Sequence, residues 1–391
     1  VPRGFTARVV AVEALGQFVP LYPLYALLFA DHGLSDAAIS ALFGLWSLTT
    51  LVLEVPSGAW ADVTSRRRML AASGALTAAA FALWVLVPST AAFAVGFVLW
   101  GVATALGSGT LEALVYDALE RWDATDRYAT LMGRARSGYL LAILVATLLA
   151  APLVQRGGYG LPGLVGSAAT LAGGALALTL PEAPRERPPR TTGRVTAAVA
   201  DWWATLRDGV ADVSRTALLR RAVVVTALLT GLLAFDEYLP LVAADGGASP
   251  ALVAVLLAVV GVAEAGCAAL AGRCARLGPR VLAVLLAGAA LAVAAGALLP
   301  VAPGFVAIAV GYGVLGMLLV VVETRVQEAV TGEARATVTS VAGFGSEAVG
   351  IAVLVVVGVG SVWVALPVLV AALAGPLLGV AVLVSRTDGR R

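Results

Sequence analysis

Carboxylates stand inside apolar stretches all along this chain: Glu13, Glu54, Glu112, Asp117, Asp236, Glu237, Glu264, Glu323, Glu328 and Glu347. A charged group near the centre of a membrane helix costs roughly 2.5 to 3.5 kcal/mol on insertion scales, so each of these acids needs a reason to be there. A carboxylic acid taken out of water holds its proton more tightly, which lets it load and release one near neutral pH. The chemistry these residues offer is proton carriage. Glu347, in GFGSEAVG, sits at the middle of its apolar run with small residues beside it. Asp236 and Glu237 come just before Pro240, and Glu264 and Glu54 lie in the inner third of their runs. Glu13 lies one helical turn before Gln17. Glu347 and Asp236 are the first candidates for proton coupling, with Glu237, Glu264, Glu13 and Gln17 as the surrounding polar set. The competing reading of each acid is a carboxyl hydrogen-bonded to a neighbouring helix. No arginine is expected near the middle of a run, Arg325 being the deepest, so an anionic cargo is disfavoured against protons and a cationic or neutral amphipathic molecule.

Other chemistries are thinly supplied. His32, the one histidine, falls in a short loop, and Cys267 and Cys274 lie seven apart with no CxxC or Cys/His cluster. The chain is therefore expected to hold no metal and no cofactor, and to be no enzyme. A net charge of +2 gives no reason to expect a nucleic-acid partner.

The elements that must position the acids follow from hydropathy. Of 391 residues, 60% are hydrophobic and 13% charged, with a mean hydropathy of +0.95; a soluble domain carries about 25% charged residues. Apolar stretches of ~18 or more residues, enough to cross ~30 Å of hydrocarbon, recur throughout. Strand-like alternation is absent, which favours a helical bundle over a barrel. Pro, Gly and charge punctuation predicts twelve helices, at 8–30, 36–61, 69–88, 91–117, 138–155 and 161–180, then 222–243, 250–272, 281–299, 305–330, 338–358 and 361–384. Residues 1–180 and 222–391 then form two six-helix halves, joined by a polar linker at 181–221. The linker opens PEAPRERPPR and carries Trp202, Trp203, Leu206 and Val210 at the spacing of an amphipathic helix on the inner leaflet. All 26 basic residues are arginines, and with both termini inside, every one except Arg156 falls at or near a cytoplasmic end. The expectation is a multi-pass protein of a bacterial cytoplasmic membrane. Tyr22, Tyr25, Trp46, Trp100, Tyr139 and Tyr238 are candidates to line a cavity, although such residues commonly pack or anchor the interface.

One loop carries more. Residues 54–70 read EVPSGAWADVTSRRRML, and GAWADVTSRR resembles the G-x-x-x-D-x-x-x-R-[RK] signature between helices 2 and 3 of the major facilitator superfamily of secondary transporters. The halves repeat: at an offset of 210 Glu54 falls on Glu264 and Arg66 on Arg276, and at 211 Glu112 falls on Glu323 and Asp117 on Glu328. The resemblance implies two parallel six-helix halves working by alternating access, as a monomer without cofactor. It also implies a charge latch at the inner gate, made here by Gly58, Asp62, Arg66 and Asp117. Arg276 with Glu328 would be its weaker counterpart, since Gly272 replaces the acid. Ordinary interfacial ion pairing is the alternative for this group. Drug–proton exporters carry an arginine midway along helix 4 and G-P-x-x-G-G in helix 5, whereas FVLWGVATALGSGT and YLLAILVATLLAAPLV have neither. The expected activity is proton-driven export of a cationic or neutral amphipathic compound, resembling multidrug-efflux members. The alternative is uptake or facilitated transport of a nutrient or metabolite, and a channel or receptor is the reading from another class.

Overall fold

A computed structural model describes residues 1–182, 217–329 and 334–386, with Ala204, Arg207 and Val210 from the linker. Every regular element among the described residues is a helix, with no strand. The first half contains α1 (Phe5–Gly16), α2 (Tyr25–Asp31), α3 (Asp36–Val63), α4 (Arg66–Leu86), α5 (Thr90–Gly107), α6 (Thr110–Arg121), α7 (Tyr128–Gly157) and α8 (Gly160–Ala177). The second contains α9 (Ala217–Leu232), α10 (Leu239–Asp245), α11 (Pro250–Ala268), α12 (Ala271–Cys274), α13 (Pro279–Leu298), α14 (Val301–Ala329), α15 (Ala334–Gly360), α16 (Leu366–Ala372) and α17 (Ala374–Ser385). Among the described residues, eleven helices are long and apolar enough to cross a membrane. The first expected span is the exception, because it is split into α1 and α2. Pro20 and Pro23 lack the N–H that a continuous helix needs, and Gln17–Leu21 leave the helix between them.

Among the boundaries that differ from those the sequence predicts, two bear on charged residues. The fourth span is two helices, α5 and α6, divided at Ser108 and Gly109. The fifth begins at Tyr128, ten residues before the expected 138. Arg134 and Arg136 therefore lie within α7, and Arg136 is eight residues in, about 12 Å at 1.5 Å per residue.

The chain divides into two compact units, residues 1–34 with 45–200, and residues 35–44 with 201–391. In the first, α4 and α8 meet backbone to backbone: a Cβ on Gly74 would lie 2.6 Å from the Thr170 carbonyl oxygen and 2.8 Å from Gly174 Cα. Small residues that let helices approach this closely supply van der Waals contact where lipid leaves little hydrophobic drive. Phe5, Val9, Leu111, Val115 and Leu131 gather α1, α6 and α7 into an apolar cluster. Outside the membrane spans, the Tyr159 hydroxyl donates to Asp31 Oδ2 at 2.6 Å, and burial beside that carboxylate pushes its phenol above the usual range. In the second unit, Tyr238 donates to Ser40 Oγ at 2.7 Å, and its ring meets Phe43 edge-on at 5.8 Å. Side chains such as Val284, 71% exposed, and Val306, 62% exposed, face outward as a surface for hydrocarbon. Trp202, Trp203 and Leu206 of the expected amphipathic helix lie outside the described residues, while Val210 is exposed.

Candidate functional site

Helix α4 begins at Ser65, whose extended backbone (φ −65°, ψ 120°) and side-chain oxygen, accepting from the Arg68 N–H, make it the N-cap. Its first turn is Arg66, Arg67 and Arg68. Three cations there oppose the helix dipole, whose N-terminus is positive. Two carboxylates offset them. Asp117, from α6, accepts from Arg66 Nη1 at 2.5 Å. Glu182, just beyond the last apolar residues of the first half, accepts from the Arg66 backbone N–H at 2.6 Å and from the Ser65 hydroxyl. Its carboxylate also lies 3.5 Å from Arg67 Nε. The sequence singles out Arg66 and Asp117, but it misses Glu182, which reads only as the start of a polar linker. Gly58 and Asp62 lie on α3, with side chains outside the described residues.

The corresponding loop of the second unit is held in another way. Arg325, from α14, donates through Nη2 to the carbonyls of Ala275 at 3.1 Å and Leu277 at 2.5 Å. Here an arginine reaches into the loop, where in the first unit the loop supplies the arginine. Glu328, the expected partner of Arg276, has its side chain outside the described residues.

The acids of the second unit come together at a distortion. Residues Leu233–Tyr238 form a 3-10 stretch between α9 and α10. Pro240 follows, and its ring would clash with the carbonyl four residues back, that of Asp236. Asp236 Oδ2 accepts from the Tyr312 hydroxyl of α14 at 2.9 Å. Phe235 meets the same tyrosine edge-on at 5.7 Å. Glu237 and Glu264 are close enough to act electrostatically on Asp236. Glu264, on α11, lies against Gly316 of α14, where a Cβ would stand 3.1 Å from its Cγ. The structure thus brings Asp236, Glu237 and Glu264 together and adds Tyr312, which no motif signals. Glu347 is half-buried on α15, beside Ser346, whose carbonyl would lie 2.6 Å from a Cβ on Gly231 of α9.

In the first unit, Glu13 has both Glu112 and Arg136 as charged neighbours. The Arg136 guanidinium stacks 4.1 Å over the Tyr139 ring. This is a mixed-charge group, unlike the acids around Asp236. Gln17 ends α1 at the break. Among the described residues no three His, Cys, Asp or Glu side chains are grouped to hold a metal ion.

A sequence profile described as Major Facilitator Superfamily matches residues 9–354. The chain belongs to the major facilitator superfamily. No curated protein matches this facilitator in sequence. Solved structures match its fold. The nucleoside transporter NupG superposes with a TM-score of 0.75 at 15% identity, covering 99% of this chain and 100% of that one. The POT family transporter PepTSo superposes with a TM-score of 0.70 at 11% identity, covering 98% and 97%. A POT family transporter in complex with a thioalcohol-conjugated peptide gives 0.71 at 12%, covering 97% and 95%. Identities this low speak for the fold, so the chain is an all-helical membrane transporter of this superfamily, and its cargo is a separate question.

Proposed function

We propose that this facilitator is a proton-coupled secondary transporter of a small organic molecule without net negative charge, and that its two halves give alternating access. The observation that carries the reading is the Asp236–Tyr312 hydrogen bond at the 3-10 distortion, with Glu237 and Glu264 nearby. A proton arriving on Asp236 relieves repulsion among three acids. Any conformation that favours the protonated form then gains population, which is the coupling a transporter needs. Glu347 is a second carboxyl available to the same cycle. Counting α1 and α2 as one broken crossing brings the spans to twelve. Both termini then lie on the cytoplasmic side of a bacterial inner membrane, and the protein works as a monomer.

Uptake, with substrate and proton moving together, is one reading, and it is compatible with a fold shared with a nucleoside transporter and with a POT family transporter that holds a peptide conjugate. Export of a cationic or neutral amphipathic compound by exchange is the second reading, favoured by the purely acidic make-up of Asp236, Glu237 and Glu264. The test is proton movement in proteoliposomes carrying an internal pH dye, with Asp236→Asn and Glu347→Gln in parallel. Substrate entering with protons acidifies the lumen, whereas exchange makes it alkaline. Asp236→Asn is expected to abolish either signal. Full proton movement in that variant would remove Asp236 from the mechanism.

A further inference from the structure

The first unit also breaks its opening span, and it surrounds that break with rings. Non-helical backbone such as Gln17–Leu21 persists at membrane depth only inside protein or beside a water-filled cavity. Val19, Pro20 and Leu21 are buried at the break, whereas Tyr22, in the 3-10 turn that follows, is 44% exposed and leaves the group open on that side. Trp100 of α5 stands between two other rings, with centroids 6.0 Å from Tyr22 and 5.3 Å from Trp46 of α3. Tyr25 supports the group, 5.5 Å from Tyr22 and 6.2 Å from Trp100. Trp46 and Trp100 are each ten residues from the start of their helices, Asp36 and Thr90. That is about 15 Å, halfway through a ~30 Å hydrocarbon core.

Two polar atoms of α3 are unsatisfied among the described residues. Trp46 Nε1 and Thr50 Oγ1, one turn apart, are buried and have no hydrogen-bond partner there. Nearby hydroxyls bond back along their own helices, Thr49 to the Leu45 carbonyl at 2.7 Å and Thr104 to the Trp100 carbonyl at 3.0 Å. An indole N–H can only donate, and a buried donor left unpaired is costly. The pair suits an acceptor supplied by a bound molecule.

We propose that Tyr22, Trp46 and Trp100 form a subsite within the first unit for a flat heteroaromatic ring with a hydrogen-bond acceptor on its edge. The ring rests on Tyr22 and Trp100, and its acceptor meets the Trp46 N–H and the Thr50 hydroxyl. This deepens the transporter reading above and rests on it. A quaternary ammonium would use the ring faces but leave both donors unpaired, and a sugar would bring C–H bonds rather than a flat π face to the rings.

The test is calorimetric binding to the full chain in nanodiscs, with uridine and a 4-quinolone as ring probes and tetraethylammonium and glucose as controls. At least one ring probe should bind more tightly than both controls. Tyr22→Ala should weaken it roughly tenfold, the order of base–aromatic stacking, and Tyr22→Phe should restore it. Trp46→Phe should weaken it roughly fivefold, as for one lost hydrogen bond. No binding of either ring probe, tighter binding of a control, or unchanged affinity in Tyr22→Ala would each overturn the subsite. Because the readout is binding, ring affinity that survives loss of proton movement would sink the coupling and leave the subsite standing.

Discussion

Three arginines in the first turn of α4 place positive charge at the positive end of a helix dipole, and the acids that relieve it come from elsewhere in the chain. Glu182 accepts from a backbone N–H and a hydroxyl at that terminus, so it completes a cap that Ser65 only begins. Its ion pair with Arg67, whose side chain is 43% exposed, adds little beyond this. Glu182→Ala should therefore cost about 1 to 2 kcal/mol, in line with lost helix caps, and lower the unfolding temperature of the purified protein. An unchanged unfolding temperature would mean that these bonds carry no stability. The sequence shows Arg66 and Asp117 because a motif and a repeat point to them. It hides Glu182 because PEAPRERPPR looks like solvated linker, and nothing in it says which residue folds back. Asp236 stands out in the same way, as an acid before a proline in an apolar run, whereas Tyr312 is one tyrosine among eight until the fold sets it 2.9 Å away.

At the scale of elements, prolines and glycines decide where spans break and where they touch. The breaks before α2 and α10 follow from Pro20, Pro23 and Pro240, all visible in the sequence. The contact of α4 with α8 depends on Gly74 and Gly174, and their role appears only when the two helices are set side by side. Gly74→Val would drive a branched side chain into the Thr170 carbonyl and should destabilise the protein by about 1 to 3 kcal/mol, the usual range for overpacking. Thermal unfolding in detergent measures it; a stability equal to the parent's would show that α8 can move aside at no cost. Hydropathy placed α7 too late, because Arg134 and Arg136 look like the flank of a span. In the fold, Arg136 stacks on Tyr139 and faces the charge of Glu13, so the guanidinium has partners within the helical bundle.

For the molecule as a whole, the Arg66–Asp117 pair is the charge contact in the first unit that a gating role would use. Asp117→Asn keeps the shape but removes the charge, and it should shift the distance distribution between spin labels placed on the two units. A distribution that does not move would make the pair a local ion pair with no switching role. The sequence alone determined that this is a helical membrane protein of two repeated halves. Each span is a local property: a run of apolar residues must satisfy its own backbone in hydrocarbon, and only a helix does so within one segment. Tertiary structure decided which polar groups meet. Ser65 and Glu182 are 117 residues apart, and Asp236 and Tyr312 are 76. No periodicity reaches over such distances, because those contacts are set by how one helix packs on another.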